Sequence, residues 1–121
     1  MNKIITITDY NLDIFVKAER MALILARSNS NRCILYQGEV RQLLEDGALS
    51  GITVGVLMLD QPGTSQFKRE NLWLMSVDFL PYTILYHRGQ RIDGFAGHRG
   101  HVLLDRARRL PAPELMLATA T

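Results

Sequence analysis

Blocks of apolar residues with different spacings divide the first part of the chain into predicted elements. Residues 3–8 are rich in β-branched side chains and predict a strand. Residues 11–19 place apolar side chains at the i, i+3, i+4 spacing of a helix, which Thr8 or Asp9 can cap. Residues 21–26 form a short, continuously apolar run, which is typical of a strand buried on both faces.

The same alternation continues through a second helix and a third strand. Ser30 or Asn31 can cap a helix that ends at Gly47. Residues 52–59 predict another buried strand, and residues 60–64 form a turn rich in polar residues, Pro and Gly. The apolar residues that recur at helical spacing in the predicted helix are Tyr36, Val40, Leu43 and Leu44.

The segment 65–79 has a weaker pattern. A short helix is expected at about 66–71. Periodicity does not decide whether residues 72–75 extend this helix or form a packed loop. Trp73 is expected to pack in the core, with a partner site as the alternative.

A hairpin and a final helix are predicted in the last third of the chain. Residues 82–87 and 91–95 are predicted to form antiparallel strands, with Gly89 in the turn between them. Residues 99–110 predict a helix with its arginines facing outward. Its apolar stripe consists of Leu103, Ala107 and Leu110.

Length and composition describe one folded domain. A chain of 121 residues with 47% hydrophobic and 21% charged residues can form one core. We expect a domain over residues 1–110 and a tail over 111–121, in which the apolar residues 115–117 could dock on a neighbouring surface. No apolar run approaches the roughly 20 residues of a membrane span, and residues 1–9 lack the order of a secretory signal. Cytoplasmic residence is therefore the expectation.

Charge and cysteine content restrict the chemistry further. The net charge is +2, and residues 87–110 are locally basic. Cys33 is the only cysteine, so an internal disulfide is excluded, and neither a metal nor another cofactor is expected. The three histidines, expected to be solvated, are His87, His98 and His101. The six arginines of the basic segment are Arg88, Arg91, Arg99, Arg106, Arg108 and Arg109.

The order of these elements, with a proline before the final hairpin, resembles the thioredoxin family over about residues 3–110. The resemblance implies an α/β thioredoxin-like fold, in which helices flank a central mixed sheet. The strings that carry it are Lys3-Ile4-Ile5, Thr8-Asp9, Leu59-Asp60-Gln61, Pro62-Gly63-Thr64, Leu80-Pro81 with Thr83, Gly89 and Gly97.

The resemblance also places the family's functional positions on this chain. Pro81 falls on the cis-proline that lies beside the family's active site and exposes backbone groups to a bound peptide; a simple strand-start proline is the alternative. The family's Cys-x-x-Cys motif falls on Ser30-Asn31-Arg32-Cys33. The nucleophilic position is therefore Ser30, and only the resolving position keeps its sulfur.

Further departures weaken redox chemistry. By the resemblance, the family's buried acid falls at Leu23 or Ile24 and its lysine at Val56, and all of these positions are apolar here. Asn29 replaces the aromatic residue ahead of the motif, which weakens the hydrophobic rim. An unactivated serine hydroxyl stays protonated near neutral pH, so Ser30 is not expected to start thiol exchange.

One branch of the superfamily shares more of the sequence. The Ser-x-x-Cys form, together with Ile92-Asp93-Gly94-Phe95 and Gly97, is similar to the thioredoxin domain of chaperedoxins, which are holdase chaperones. Those proteins also carry a helical-repeat extension, and these 121 residues contain none. A chaperone role is therefore an analogy at the level of the fold.

Three functional hypotheses follow. The first is a non-catalytic adaptor or chaperone-like module that binds another protein through Asn29, the 30–33 motif and Leu80–Pro81. The second is a monothiol redox protein that uses Cys33 in mixed disulfides. Cys33 is expected to be an inert, half-buried thiol at the start of a helix; the alternative, which this hypothesis needs, is a thiol whose pKa the helix N-terminus and Arg32 lower. The third is an adaptor for an acidic partner or nucleic acid that uses the closing helix. A membrane partner is not expected.

Overall fold

A computed structural model describes residues 3–111 of the chain, and a five-stranded sheet lies at its centre. The strands are β1 (Ile5–Thr6), β2 (Arg20–Ala26), β3 (Thr53–Met58), β4 (Tyr82–His87) and β5 (Gln90–Ala96). The α-helices are α1 (Leu12–Val16), α2 (Asn31–Glu45), α3 (Ser65–Glu70) and α4 (Gly100–Ala107), and a 3₁₀ helix covers Leu72–Ser76.

The sheet is mixed, with β2 in its middle. The strand order is β1-β3-β2-β4-β5. β1, β3 and β2 run parallel, whereas β4 is antiparallel to both β2 and β5. Ile24 lies opposite Val56 on one side and opposite Thr83 on the other.

Alternate side chains of β2 enter two separate cores. Each residue of the run 21–26 has no exposed surface. Ala22, Ile24 and Ala26 pack with residues of α2 and α4, while Met21, Leu23 and Leu25 pack with residues of α1 and α3. Helices therefore cover both faces, and the predicted α/β architecture with a central mixed sheet is confirmed.

The first two elements are shorter than predicted. The strand expected over 3–8 has only two residues, although the N–H of Ile7 still donates to the carbonyl of Val56 at 2.8 Å. The helix expected to reach Glu19 ends at Val16. The carbonyl of Glu19 accepts the N–H of Arg88 at 3.1 Å, so this part of the chain already pairs with the hairpin.

Asp9 caps a different helix from the one expected. The N-cap of α1 is Asn11, which makes no capping bond through its side chain. The carboxylate of Asp9 instead accepts the backbone N–H groups of Gln66 and Phe67, both at 3.0 Å. These are unpaired donors in the first turn of α3, so Asp9 ties the start of the chain to α3.

The segment that periodicity left open forms the 3₁₀ helix. Within it, Trp73 packs against the core beneath α3, with its ring centre 5.5 Å from that of Tyr82. The indole N–H of Trp73 donates to the side chain of Asn71 at 3.1 Å. The packing role predicted for Trp73 is confirmed.

The predicted hairpin is present, and its turn consists of Arg88 and Gly89. Both residues have positive φ, at 52° and 85°, as a two-residue turn between twisted strands requires. Gly89 adopts this conformation without steric cost, whereas Arg88 does not. The second strand is longer than the predicted 91–95, because Gln90 and Ala96 also pair with β4.

The closing helix differs from its prediction in length and in one side chain. Regular helix covers Gly100–Ala107 instead of 99–110, and its three predicted apolar residues are buried. Arg106 does not face outward as expected. Its Nη1 lies 2.8 Å from both carboxylate oxygens of Asp93, and its guanidinium covers the ring of Phe95 at 5.1 Å. The predicted tail, from residue 112 onward, lies outside the described residues.

A buried polar pair joins α2 to β4. The hydroxyl groups of Tyr36 and Thr83 lie 2.7 Å apart in the core, and burial raises the pKa of Tyr36 well above its ordinary value. Each buried hydroxyl therefore has the other as its hydrogen-bond partner. The pair lies two residues beyond Pro81, so it also holds the start of β4 against α2.

Removing one member of this pair should destabilise the fold. We expect Tyr36→Phe to lower the free energy of unfolding by about 1–3 kcal/mol, because the hydroxyl of Thr83 is left buried without a partner. Adding Thr83→Val should recover part of this loss, since both polar groups are then gone. Urea unfolding measures both, and Tyr10→Phe, at a side chain 91% exposed, serves as the control. A Tyr36→Phe variant as stable as the parent would contradict the role of the pair.

Candidate functional site

The sequence-predicted site residues lie at one end of the sheet, in its loops and in the first turn of α2. Strand β2 ends where β4 begins, because the two strands are antiparallel. The loop after β2 (27–30) and the loop before β4 (77–81) therefore reach the same end. The loop after β5 (97–99) joins them, because β5 is antiparallel to β4.

Ser30, the alcohol at the predicted nucleophile position, caps helix α2. Its Oγ accepts the backbone N–H of Cys33 at 3.3 Å, and its backbone is extended as an N-cap requires. Among the hydrogen bonds of residues 3–111, none joins the hydroxyl of Ser30 to a histidine or a carboxylate. The hydroxyl therefore stabilises a helix terminus and has no adjacent base to activate it.

Cys33 is buried more deeply than expected. Its exposed fraction is 0%, whereas sequence analysis predicted a half-buried thiol. The first turn of α2 directs the side chain inward, where it packs in the same core as Ile24 and Tyr36. The Sγ atom accepts the backbone N–H of Arg27 at 3.4 Å. A thiol in this position behaves as a small core side chain.

The layer behind the motif is apolar. Of the two candidates for the family's acidic position, Ile24 lies on the same side of the sheet as Cys33, whereas Leu23 enters the opposite core. Ile24 and Val56 are register partners on adjacent strands. These two positions therefore supply no group that could carry a proton to or from the motif.

An aromatic side chain does lie beside the motif, although Asn29 replaces the aromatic residue expected there. It is Phe79, from the loop before β4. Asn29, Asn31 and Arg32 are exposed, and the guanidinium of Arg32 lies 3.8 Å above the ring of Phe79. Phe79 stacks in turn on His98, with 6.2 Å between ring centres. His98 is therefore not a freely solvated side chain as predicted. The first turn of α2 and the loops before β4 and after β5 share one cation–aromatic stack.

Leu80 and Pro81 form the second half of the site. The peptide bond between them is cis, and the carbonyl of Pro81 accepts the N–H of Gly97 at 3.1 Å. Leu80 is half-buried and packs against both cores. Within residues 3–111, the backbone N–H and C=O of Leu80 have no hydrogen-bond partner, so both are available at the edge of the site.

Hydrogen bonds between Ser28 and Asp60 fix the loop that precedes Ser30. The backbone N–H and the hydroxyl of Ser28 both donate to the carboxylate of Asp60, at 3.1 Å and 2.5 Å. These hydrogen bonds hold the pKa of Asp60 below its ordinary value. The loop after β2 is thus tied to the turn after β3.

The structure brings the predicted residues together at one end of the sheet, where Cys33 and Pro81 are buried beneath the others, and adds two residues that were missed. Residues 29–33 meet the 80–81 segment through the contact of Arg32 with Phe79 and through the shared core of Cys33 and Leu80. Phe79 and His98 were missed because nothing local in the sequence indicates their stacking. In the described part of the chain, no three histidine, cysteine or acidic side chains are grouped to hold a metal, and no helix is long and apolar enough to cross a membrane.

Comparisons with solved structures identify the fold. Thioredoxin f from spinach chloroplast is similar with a TM-score of 0.73 and 13% identity, over 88% of this chain and 85% of that one. A point mutant of thioredoxin from Halobacterium salinarum has a TM-score of 0.72 and 14% identity, over 93% and 96%. Mitochondrial thioredoxin 3 from Saccharomyces cerevisiae has a TM-score of 0.69 and 15% identity, over 88% and 95%.

These likenesses show that the chain has the thioredoxin fold, as its sequence predicted. No family model matches the chain, and no curated protein matches it. At such low identity the agreement concerns the backbone. The chemistry of the site therefore has to be argued from its own residues.

The contact between Ser28 and Asp60 predicts a measurable shift. In Ser28→Ala the pKa of Asp60 should rise toward its ordinary value, because the hydroxyl donor is lost. In the parent, the lowered pKa means that the contact stabilises the fold above the unfolded-state pKa of about 3.9 and loses that effect as pH falls through the folded-state pKa. A carboxyl ¹³C NMR titration measures the shift, with Ser50→Ala as the control. An unchanged titration of Asp60 would show that the hydroxyl does not act on it.

Proposed function

We propose that this chain is a non-catalytic thioredoxin-fold protein that binds an extended segment of another protein across the surface formed by residues 29–32 and Leu80, beneath which Cys33 and Pro81 are buried. One observation carries the proposal. Ser30, at the position that the resemblance assigns to the attacking thiol, caps a helix with its hydroxyl, and the only thiol, that of Cys33, is fully buried. The groups that can contact a peptide are therefore present, whereas the groups that thiol–disulfide exchange needs are not.

Thiol–disulfide exchange needs groups that this surface lacks. One thiolate must reach the target disulfide, and a second thiol must resolve the mixed disulfide that forms. Ser30 offers an alcohol, and Cys33 has no exposed surface from which to attack. The chain therefore has neither an accessible nucleophile nor a thiol pair.

Binding requires only what the surface already has. The unpaired N–H and C=O of Leu80 can form main-chain hydrogen bonds with an extended peptide, as exposed strand edges do. Arg32 and Phe79 supply a cation and an aromatic face beside that edge. Main-chain recognition tolerates many sequences, which suits either an adaptor or a chaperone-like module.

A monothiol redox role is the second candidate, and one contact favours it. The Sγ of Cys33 accepts the backbone N–H of Arg27, so one hydrogen-bond donor is already in place beside the sulfur. For this chemistry the first turn of α2 would have to open, because the sulfur is covered in the closed fold. The monothiol hypothesis therefore requires the first turn of α2 to open, whereas the binding hypothesis does not.

A disulfide-reduction assay tests the loss of catalysis. With insulin as substrate and dithiothreitol as reductant, the parent chain should give no turnover above the uncatalysed rate. Ser30→Cys should give a measurable gain, because it restores the attacking thiol beside Cys33, while Ser50→Cys should give none. Thioredoxin-like turnover by the parent would overturn the proposal.

Capture of partners from the native cell tests the binding surface. Proteins retained by the immobilised parent should also be retained by Cys33→Ser, because no mixed disulfide is involved. Arg32→Glu should lose about half of them or more, since it removes the cation at the centre of the stack. Arg108→Glu, an equal charge change on an exposed residue after α4, is the matched control. Capture that depends on Cys33 but not on Arg32 would favour the monothiol role instead.

A further inference from the structure

A groove of about 460 Å³ lies beside the candidate site, between the ends of β2 and β3 and the segment from α3 into the 3₁₀ helix. This volume falls in the range of ligand-binding pockets. The groove does not include residues 29–33 or 80–81. The residues that line it are Arg27, Leu59, Asp60, Lys68, Arg69, Asn71, Leu72, Leu74 and Met75.

Four of the lining side chains are apolar, and two of them are unusually exposed. Leu72 is 67% exposed and Met75 is 87% exposed, although both lie next to the half-buried Leu74 and Trp73. Large apolar side chains grouped at a rim of this kind indicate a surface that another molecule covers. A methionine is well suited to such contacts because its flexible side chain adapts to different shapes.

The polar atoms of the groove are mostly occupied by internal hydrogen bonds. Asp60 accepts both donors of Ser28, and Lys68 donates to the carbonyl of Leu59 at 3.0 Å. The side chain of Asn71 donates to the carbonyl of Phe67 at 2.8 Å and accepts the indole N–H of the 3₁₀ helix. These groups shape the wall of the groove and leave little for a ligand to bind.

Two guanidinium groups remain. Arg27 and Arg69 lie at the groove, and neither forms a direct ion pair within residues 3–111. The Ser28 hydrogen bonds hold the pKa of Asp60 below its ordinary value, and the charge of Arg27 adds to their effect. With Lys68 they give three positive charges against one carboxylate, Asp60, which is already engaged. A ligand that complements this groove therefore carries carboxylates beside apolar groups.

We propose that this groove binds an amphipathic acidic peptide segment of another protein, in which apolar side chains cover Leu72 and Met75 and carboxylates pair with Arg27 and Arg69. A peptide fits better than a small molecule because the apolar side chains stand at an open rim. Docking of an amphipathic segment into an apolar groove is a common mode of peptide recognition. The proposal does not rest on the function assigned to residues 29–33 and 80–81.

A labelled peptide tests the groove directly. The probe is a fluorescein-labelled peptide of three Glu-Asp-Leu-Leu repeats, and fluorescence anisotropy gives its Kd for the full chain. Lys-Lys-Leu-Leu and Glu-Asp-Ser-Ser repeats of the same length are the control peptides, and neither should bind comparably. Binding should weaken as salt is raised. Equal binding of the acidic and basic peptides would overturn the proposal.

Matched variants locate the binding. Arg69→Glu and Met75→Ser should each raise the Kd by about tenfold, through charge reversal and loss of apolar contact. Arg108→Glu, on the opposite face of the sheet, should leave the Kd unchanged. An equal effect of Arg108→Glu, or no effect of Arg69→Glu, would show that the peptide binds elsewhere. Circular dichroism confirms that each variant is folded.

Two further outcomes would also overturn the proposal. If a chain truncated after Pro111 bound the peptide more tightly than the full chain, residues 112–121 would be the occupant. If vesicles containing phosphatidylserine bound the groove and the peptide did not, the ligand would be a lipid surface. Arg32→Glu should not change the peptide Kd, so failure of the groove and failure of the proposed function are separable.

Discussion

The burial of β2 on both faces is the constraint on which the other features depend. Because residues 21–26 have no exposed surface, the helices must cover the sheet on both sides. Since alternate side chains of a strand point to opposite faces, the strand also defines two distinct cores. The first exposed residue after this run is Arg27, and the loop that leads to Ser30 begins there.

The same constraint explains how Ser30 and Cys33 are held at the start of α2. Helix α2 starts directly after the loop, and its first turn points one side chain toward the core and one toward its own N–H groups. Cys33 has the inward position and Ser30 has the capping position. Serine is among the best N-cap residues, so Ser30 stabilises the start of the helix. What remains is a firmly held surface of backbone groups, an aromatic ring and a guanidinium group.

Local patterns predicted the elements that local physics determines. The apolar run of β2, the capped periodic helix α2 and the hairpin around Gly89 each carry their signal within a few residues, and the structure has all three. The resemblance to thioredoxins, built on the order of those elements, led to the correct fold.

Contacts between distant residues could not be predicted in this way. Asp9 caps a helix more than 50 positions away, although its neighbours suggested the adjacent one. Arg106 has the pattern of a solvated residue, yet it pairs with Asp93 on β5. Phe79 completes the site only because β4 returns beside β2 and brings its preceding loop to Arg32. The sequence identifies each of these side chains, but the contacts between them depend on how the strands pair, which local patterns do not specify.

The accessibility of the Cys33 thiol is the most direct test of the proposed non-catalytic role. Alkylation by iodoacetamide, followed by mass spectrometry, compares Cys33 in the native chain with Cys33 in urea. The account predicts that the native thiol reacts at least about a hundredfold more slowly, because reaction must wait for α2 to open. A native rate equal to or above the rate of the unfolded chain would mean that Cys33 is an exposed, activated thiol and would contradict a non-catalytic role.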